Sequence, residues 1–544
     1  MSTALALNIR STLPASFAKM LATPSNTKVE QLWWQFKSDK KNLDETHEML
    51  KKSKSQSSLT LLLRSSLSDL NEMINCSISG ANIVNADKIL QQTYWNKALA
   101  LTDVLYHMPT DRKREWNESI RAFDFPDFTL DNLYSTLTTL LLERDKFVAE
   151  RVEGVFKALS KEHVTNCPQG FYKRMIISGM HDGGSPCSTR SGYISDLRIV
   201  IGRLLGREND HVIGSYQLVD RLMNHTGEWV DIDGGSIRIR VYKKGTAHLE
   251  VHPDLAWQLN EILATLYPRA IPSEFRTKSK KTTKPFNLSS TLLNYDVVNA
   301  LSEMQPSYSR EEINGSYRRG ARIENRFEPR YPYSMDKHLL RKVSDVMKAI
   351  GGVEVEHHQF QFDYDATEII ETVYFEGRIP DKFSYQYYPT PFEVGEKMAD
   401  IFAGVEGLTL EPSAGQGGLA QFMDDDTQLV EVSSLHCDIL KAKGFKNVEC
   451  ADFLIWADKV LNTNTRYGGI LMNPPFSEGR SREHLEAAVS ILDSNGRIVA
   501  LVTESVAERF NPKGFDKKIE VLDANEFKGV SVDLAILTLE KQAV

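Results

Sequence analysis

The chain has 544 residues, 41% hydrophobic and 25% charged with both signs mixed, which excludes disordered and fibrous classes and leaves length for two to four domains with cores of their own. Its net charge of −8 excludes a uniformly basic nucleic-acid binder, and no apolar run approaches the roughly 18 residues of a membrane span. The five cysteines, Cys76, Cys167, Cys187, Cys437 and Cys450, lie far apart with no CxxC pair, which points away from a disulfide framework and from a cysteine zinc site.

The opening MSTALALNIRSTLPASFAKML lacks the order of a secretory signal, so a cytoplasmic location is expected. Residues 29–160 predict helices, with apolar positions recurring at three and four in YWNKALALTDVLYHM and in LDNLYSTLTTLLLERDKFVAERVEGVFKAL. Pro126 and Asp127 invite comparison with a PD...(D/E)xK nuclease, but Arg144 stands where the acid of ERDK should be, so cleavage is not expected. From Glu228 the apolar period becomes two. The runs EWVDI, SIRIRVY and AHLEVH, separated by DGG and KKGT, predict an antiparallel meander, after which Pro253 opens the helix PDLAWQLNEILATLYP. His248 and His252 share a face of the meander but lack a third ligand at metal spacing, so they read as structural and no metal is expected. Residues 1–275 are expected as a mainly helical α+β domain, a candidate for DNA binding or target recognition.

The polar basic run RTKSKKTTK, Arg276 to Lys284, predicts a linker, and residues 276–383 are set apart as a basic linker and intermediate region. Within it, Tyr317 to Tyr333 interleaves arginines with aromatics. Arg318, Arg319, Arg322 and Arg326 are candidate nucleic-acid contacts on a loop, since guanidinium and aromatic groups together can follow a phosphate backbone and stack on bases. A solvated loop with ordinary charges is the alternative reading.

From Leu408 short apolar runs alternate with helical or loop segments: LTLEP, QLVEVS, NVECADF, GGILMNP, RIVALV, KKIEVLD and VDLAILTLE. They predict an α/β Rossmann-like domain over residues 384–544, with seven strands in a largely parallel sheet. The first run ends in Glu411 and leads into Pro412 to Gly418, where Ser413, Ala414, Gly415 and Gly417 form a turn able to pass close to a ligand at the carboxyl edge of the sheet. Such a turn alone also suits dinucleotide enzymes. Glu431 ends the second run, where an acid accepts ribose hydroxyls, and Asp452 ends the third, where it can meet an adenine amino group.

The fourth run is followed by Asn473, Pro474, Pro475 and Phe476. An exocyclic amine is a poor nucleophile because its lone pair is delocalised into the ring. The Asn473 side-chain oxygen and the Pro474 carbonyl are two acceptors for its hydrogens, proline has no N–H to compete, and Phe476 can stack on a base turned out of its helix.

Together these residues resemble the amino-methyltransferases with an (Asn/Asp)-Pro-Pro-(Tyr/Phe) loop. The order YYPTP (Tyr387 to Pro391), EPSAGQG, NPPF resembles the gamma class of adenine DNA methyltransferases. The resemblance implies a site for S-adenosylmethionine in which Tyr388, Thr390 and Pro391 close over the cofactor. Glu411 and Gly415 would line its methionine portion, and Glu431 and Asp452 would hold its adenosine. It implies methylation of the adenine N6 amine in DNA. Gamma-class enzymes usually carry a target-recognition domain after the catalytic one, whereas this chain ends at Val544, so recognition is expected from the N-terminal part or a partner, or is of low specificity. HVTNCPQGFYKRM, GYISDLRIVIGRLLGR and the meander are similar to a domain of uncharacterised function fused to methyltransferases of phages, plasmids and mobile elements, which implies a DNA-modification enzyme of such an element.

Alternatives are an rRNA base or protein glutamine methyltransferase on the same loop, or an inactive DNA-binding or anti-restriction protein. Nothing in the sequence indicates a protein partner or an oligomer. Residues 384–544 carry 15 Lys and Arg against 25 Asp and Glu, so a grip on a polyanion has to come from the preceding part.

Overall fold

The computed structural model describes residues 26–51, 83–101, 108–159, 166, 169–171, 174–207, 214–278, 288, 292–313, 316–356, 358–379, 388–476, 479–522 and 533–541. The chain divides into two compact units, Met1–Leu288 and Ser289–Val544.

The described residues of the first unit begin with helices α1 (Asn26–Lys51), α2 (Ile83–Ala100), α3 (Thr110–Arg121) and α4 (Leu130–Ala158). Their apolar stripes close on Phe36, Tyr94, Trp95 and Phe128, all buried. Pro126 and Asp127 form the turn into α4. The Pro126 carbonyl accepts from the Trp95 indole at 2.9 Å, and that of Asp127 from the Asn132 amide at 2.8 Å. Strand β1 (Met175–Ser178) and helices α5 (Ser188–Leu204) and α6 (Tyr216–Leu222) precede the meander β2 (Val230–Ile232), β3 (Ile237–Val241) and β4 (Thr246–Val251), which leads into α7 (Pro253–Leu266). Strand β1 was not legible in the sequence; it adds antiparallel to β4, giving the order β1-β4-β3-β2. The tight DGG turn is tied to α5 by Asp233, whose buried carboxylate accepts from Arg198 at 2.6 and 3.1 Å and from Arg207 at 2.6 Å. His252 caps α7, its Nδ1 accepting from the Asp254 N–H at 3.1 Å.

The expected linker lies largely outside the described residues, which stop at Lys278 and, apart from residue 288, resume at residue 292. The segment from there to residue 377 is folded: α8 (Tyr295–Ser302), β5 (Met304–Ile313), β6 (Ser316–Pro329), α9 (Lys337–Ala349), β7 (Val353–Glu356), β8 (Gln359–Gln361) and α10 (Thr367–Glu376). The arginine-aromatic stretch expected as a loop is in fact the long strand β6, paired with β5 from Met304↔Pro329 to Ile313↔Ser316. Only Arg326 and Phe327 also pair with β8, and the Asn325 carbonyl accepts from the Phe362 N–H at 2.9 Å, so from Ser316 to Ile323 β6 has β5 alone as strand neighbour and the two form a projecting ribbon.

The remainder comprises α11 (Phe392–Phe402), β9 (Thr409–Pro412), β10 (Gln428–Glu431), α12 (Ser434–Ala442), β11 (Val448–Cys450), α13 (Phe453–Leu461), β12 (Tyr467–Met472), α14 (Arg480–Ile491), β13 (Leu492–Thr503), α15 (Glu504–Arg509), β14 (Phe515–Val521) and β15 (Leu534–Lys541). The seven strands form one sheet in the order β11-β10-β9-β12-β13-β15-β14. All are parallel except β15, antiparallel to both neighbours. Strand order reverses between β9 and β12, which opens a crevice at the carboxyl ends of the two strands. The turn after β9 leads into a single 3-10 turn, Ala420–Phe422, where a helical or loop segment was expected.

The end of α11 and the loop after it lie close to the start of β12 because Tyr467 there is followed by two glycines. A Cβ on Gly468 would lie 1.8 Å from the Glu406 carbonyl oxygen, and one on Gly469 2.5 Å from Phe402 and Val405. Gly468→Ala must displace backbone, so thermal unfolding should detect a loss of at least the ~1–3 kcal/mol typical of overpacking. An unchanged melting temperature would contradict this packing.

Candidate functional site

The crevice between β9 and β12 is a cleft of about 1050 Å³, counting its open mouth, with walls that include Tyr388, Thr390, Glu411, Ser413, Ala414, Glu431, Asp452, Asn473 and Phe476. Residues expected at one site from their order in the chain are thus brought together by strand order. Three are not on the wall. Pro391 stands at the start of α11, where its fixed φ suits a helix entry. Gly415 faces β10 and gives its N–H to Glu431, while Gly417 packs where a Cβ would meet Phe445 at 2.9 Å.

Glu431 is fixed from two sides. Its Oε2 accepts from the Gly415 N–H at 2.8 Å and its Oε1 from the Ser433 N–H at 2.8 Å, with the His436 ring 3.7 Å from Oε1. Burial pushes this carboxyl up, but His436 and the two N–H groups outweigh it and hold it below the usual carboxylate range. Glu411, on the adjacent strand, is 2% exposed and its Oε2 has no hydrogen-bond partner. Burial, reinforced by the charge of Glu431, raises its carboxyl well above the usual range. A buried acceptor in a cleft wall calls for a donor, best a cationic one. The amino group of an amino-acid ligand fits that requirement, so the donor set suits the methionine end of S-adenosylmethionine.

Asp452 caps α13, its Oδ1 accepting from the N–H groups of Leu454 at 2.9 Å and Ile455 at 3.2 Å. Ser413 sits at φ 65°, strained for a residue with a Cβ, and its hydroxyl is 3.3 Å from His484 Nδ1. Burial lowers His484 to about 4, with Asp452 opposing and Arg480 assisting, so the ring is neutral at physiological pH. His436, His484 and Arg480 all line the cleft and were missed in the sequence, where each is a lone residue inside a helical pattern.

Asn473 has one defined orientation. Its Nδ2 donates to the Tyr388 carbonyl at 3.1 Å and to the Thr390 hydroxyl at 3.0 Å. A carbonyl only accepts, so the amide nitrogen must face Tyr388 and the oxygen Oδ1 is turned the other way. Pro474 and Pro475 line the cleft beside it. Phe476 stacks on Tyr388 with ring centroids 6.0 Å apart. Among the described residues no group of three or more His, Cys, Asp or Glu is placed to hold a metal ion.

Residues 88–269 match the family model described as "Domain of unknown function (DUF4942)". No curated protein matches the chain. Solved structures similar to it include an rRNA methylase from Streptococcus thermophilus, at 13% identity over 29% of this chain and 98% of that one with a TM-score of 0.23. TrmN from Thermus thermophilus is similar at 15% identity, 38% and 68% coverage and a TM-score of 0.24. A Streptococcus mutans protein in complex with SAH is similar at 10% identity, 28% and 99% coverage and a TM-score of 0.23.

The Glu411 arrangement has a consequence for stability. A carboxyl whose pKa is higher folded than unfolded binds more protons when folded, so it costs stability as pH rises above the usual carboxylate range. Glu411→Gln should therefore melt higher than the wild type at pH 7 to 8, with the difference shrinking towards pH 4. A variant less stable at every pH would show that Glu411 has a partner the cleft conceals.

Proposed function

We propose that the cleft transfers a methyl group from S-adenosylmethionine to the exocyclic N6 amine of adenine in DNA. The orientation of Asn473 carries this reading. Its NH2 group is engaged by Tyr388 and Thr390, which leaves Oδ1 as an acceptor next to the Pro474 peptide. Two acceptors at that point suit a group with two hydrogens, and by taking both they turn the nitrogen lone pair out of conjugation. The cofactor supplies a methyl group on a positively charged sulfur. Glu411 would hold its amino group, Glu431 its ribose hydroxyls and Asp452 its adenine amine. As the N–CH3 bond forms, the S–CH3 bond breaks and its electron pair stays with the departing thioether; the methylated amine then releases one proton to solvent and keeps one N–H for one of the two carbonyl acceptors. Phe476, with Tyr388, offers aromatic surface to an extruded base, which favours a nucleobase over a peptide amide.

The choice of DNA rests on the β5–β6 ribbon. Arg318, Arg319 and Arg322 are exposed along it, the Arg319 guanidinium lying 3.4 Å over the Tyr308 ring, while Arg326 is tied at the ribbon's base to Gln361 at 3.0 Å. A two-stranded ribbon is narrow enough to enter a DNA major groove. It would also supply positive charge that the acidic segment beyond residue 384 lacks. This reading assigns the protein to DNA modification.

The test is transfer of labelled methyl from S-adenosylmethionine to unmethylated duplex DNA, followed by nucleoside mass analysis. N6-methyl-2′-deoxyadenosine is expected. Label appearing only in RNA or protein would replace the substrate, and no transfer to any of the three would overturn the reading. Asn473→Ala should lower the turnover number about 10²- to 10³-fold, as loss of an oriented hydrogen-bonding group does. Calorimetry should find S-adenosylmethionine binding weakened far less, because Asn473 reaches the 388–390 segment but not the glutamate pair. Replacing Arg318 and Arg319 with Ala should reduce the salt dependence of DNA binding by a slope of about 0.9 for each phosphate no longer neutralised. An unchanged slope removes the ribbon from the interface.

A further inference from the structure

The first unit holds a second cleft that the methylation reading does not use. It lies between one face of α3 and the start of α5 and is lined by Lys113, Arg114, Asn117, Glu118 and Arg121 opposite Ser188 and Thr189. Its floor is a buried ion pair in which Arg151 donates to Asp196 at 2.8 Å, and the other Asp196 oxygen accepts the Thr110 N–H at 2.9 Å. That pair leaves the floor nearly neutral. Around the mouth, Arg114 is engaged with Asp111 at 3.1 Å and faces Glu118 at 3.8 Å. Lys113 and Arg121 have no ion pair among the described residues. Burial, with Arg151 close by, lowers the Lys113 ammonium to about 8. Helix α5 adds positive potential to the opposite wall, since its first turn holds no acidic residue and Cys187 before it makes no side-chain cap. The walls are close because residue 192 is glycine: a Cβ there would lie 2.6 Å from the Thr110 methyl carbon. A lysine kept half-buried beside a carboxylate, Asp196, that Arg151 and the Thr110 N–H already engage, and facing uncapped backbone N–H groups, is arranged to have an anion bring its charge back to balance.

We infer that this cleft is a binding site for a phosphate group, held between the Lys113 ammonium, the Arg121 guanidinium and the first backbone N–H groups of α5, with the Ser188 and Thr189 hydroxyls as further donors. The inference does not depend on the reaction proposed for the other unit. It gives residues 88–269 a ligand chemistry.

The full chain should be titrated with inorganic phosphate against sodium chloride at matched ionic strength, reading the melting temperature and calorimetric affinity. Phosphate should stabilise the protein beyond chloride, and affinity should fall about tenfold or more in Lys113→Met, as for loss of a charge-assisted hydrogen bond. Arg121→Ala, on the exposed side of α3, should weaken binding while leaving the phosphate-free melting temperature unchanged, so the site remains testable if Lys113→Met does not fold. Equal responses to phosphate and chloride, or phosphate binding indifferent to both substitutions, would overturn the assignment. Competition by oligonucleotides with and without a 5′-phosphate, and by a nucleoside monophosphate, identifies the source. Preference for the 5′-phosphorylated strand assigns a strand end, equal binding of both strands a backbone phosphodiester, and a monophosphate as good as either a free nucleotide.

Discussion

Two buried glutamates on neighbouring strands set the geometry of the cleft. Glu411 pairs in register with Leu429, two residues before Glu431, so both carboxyls arrive at the same edge of the sheet. They cannot be served alike. Glu431 takes the backbone N–H groups of Gly415 and Ser433, so its charge is stabilised locally. Glu411 faces that charge and keeps an oxygen without a partner. The loop after β9 follows from this division, because the Gly415 bond to Glu431 and the Ala414 bond to the Val430 carbonyl at 3.0 Å suspend it from β10. Ser413 can hold its strained backbone only because the residues after it are fixed this way.

The same loop is braced from outside. The Gln416 amide donates to the Ala349 carbonyl at the end of α9 at 2.6 Å, and Lys443, just past α12, pairs with Asp363 at 2.8 Å. Residues 295–377 are therefore a support for the cleft within their unit, and the projecting ribbon grows from that support. On the other wall the 388–390 segment lies against Gly418 and is tied to Asn473, so this segment and the reactive loop hold one another. A change at either end of this chain of contacts reaches the reacting position without touching it.

Much of the second unit was legible because its signals are local. Each of the seven apolar runs lies on a strand of the one sheet, and the central strands β9, β12 and β15, buried on both faces, are the most continuously apolar. The acids at strand ends and the NPPF tetrapeptide were legible for the same reason, as position along a strand determines which edge a residue reaches. What the sequence concealed depends on partners distant in the chain. Strand β1 is only four residues long and is a strand because β4 is beside it. Strand β6 is rich in arginine and lacks a clear alternation, so its pairing with β5 rather than its own pattern makes it a strand. His436 and His484 acquire meaning only from Glu431 and Ser413, which other elements place next to them.

The single 3-10 turn after the glycine turn bears on what the cleft can hold. Folds that bind dinucleotides at this edge set the pyrophosphate on a helix N-terminus, where unpaired N–H groups and the helix dipole favour negative charge. Here a single 3-10 turn follows β9, too short to sum a useful dipole, and the N–H of Gly415 is already committed to Glu431. A pyrophosphate would also meet the Glu411 carboxyl, whose charge is already opposed by Glu431. A ligand carrying an ammonium and a sulfonium reverses each of these terms, as it brings positive charge to the Glu411 oxygen that has no donor and needs no dipole to hold it. The glycine turn alone does not discriminate between the two ligand classes; the charge placed around it does, and it favours the cation.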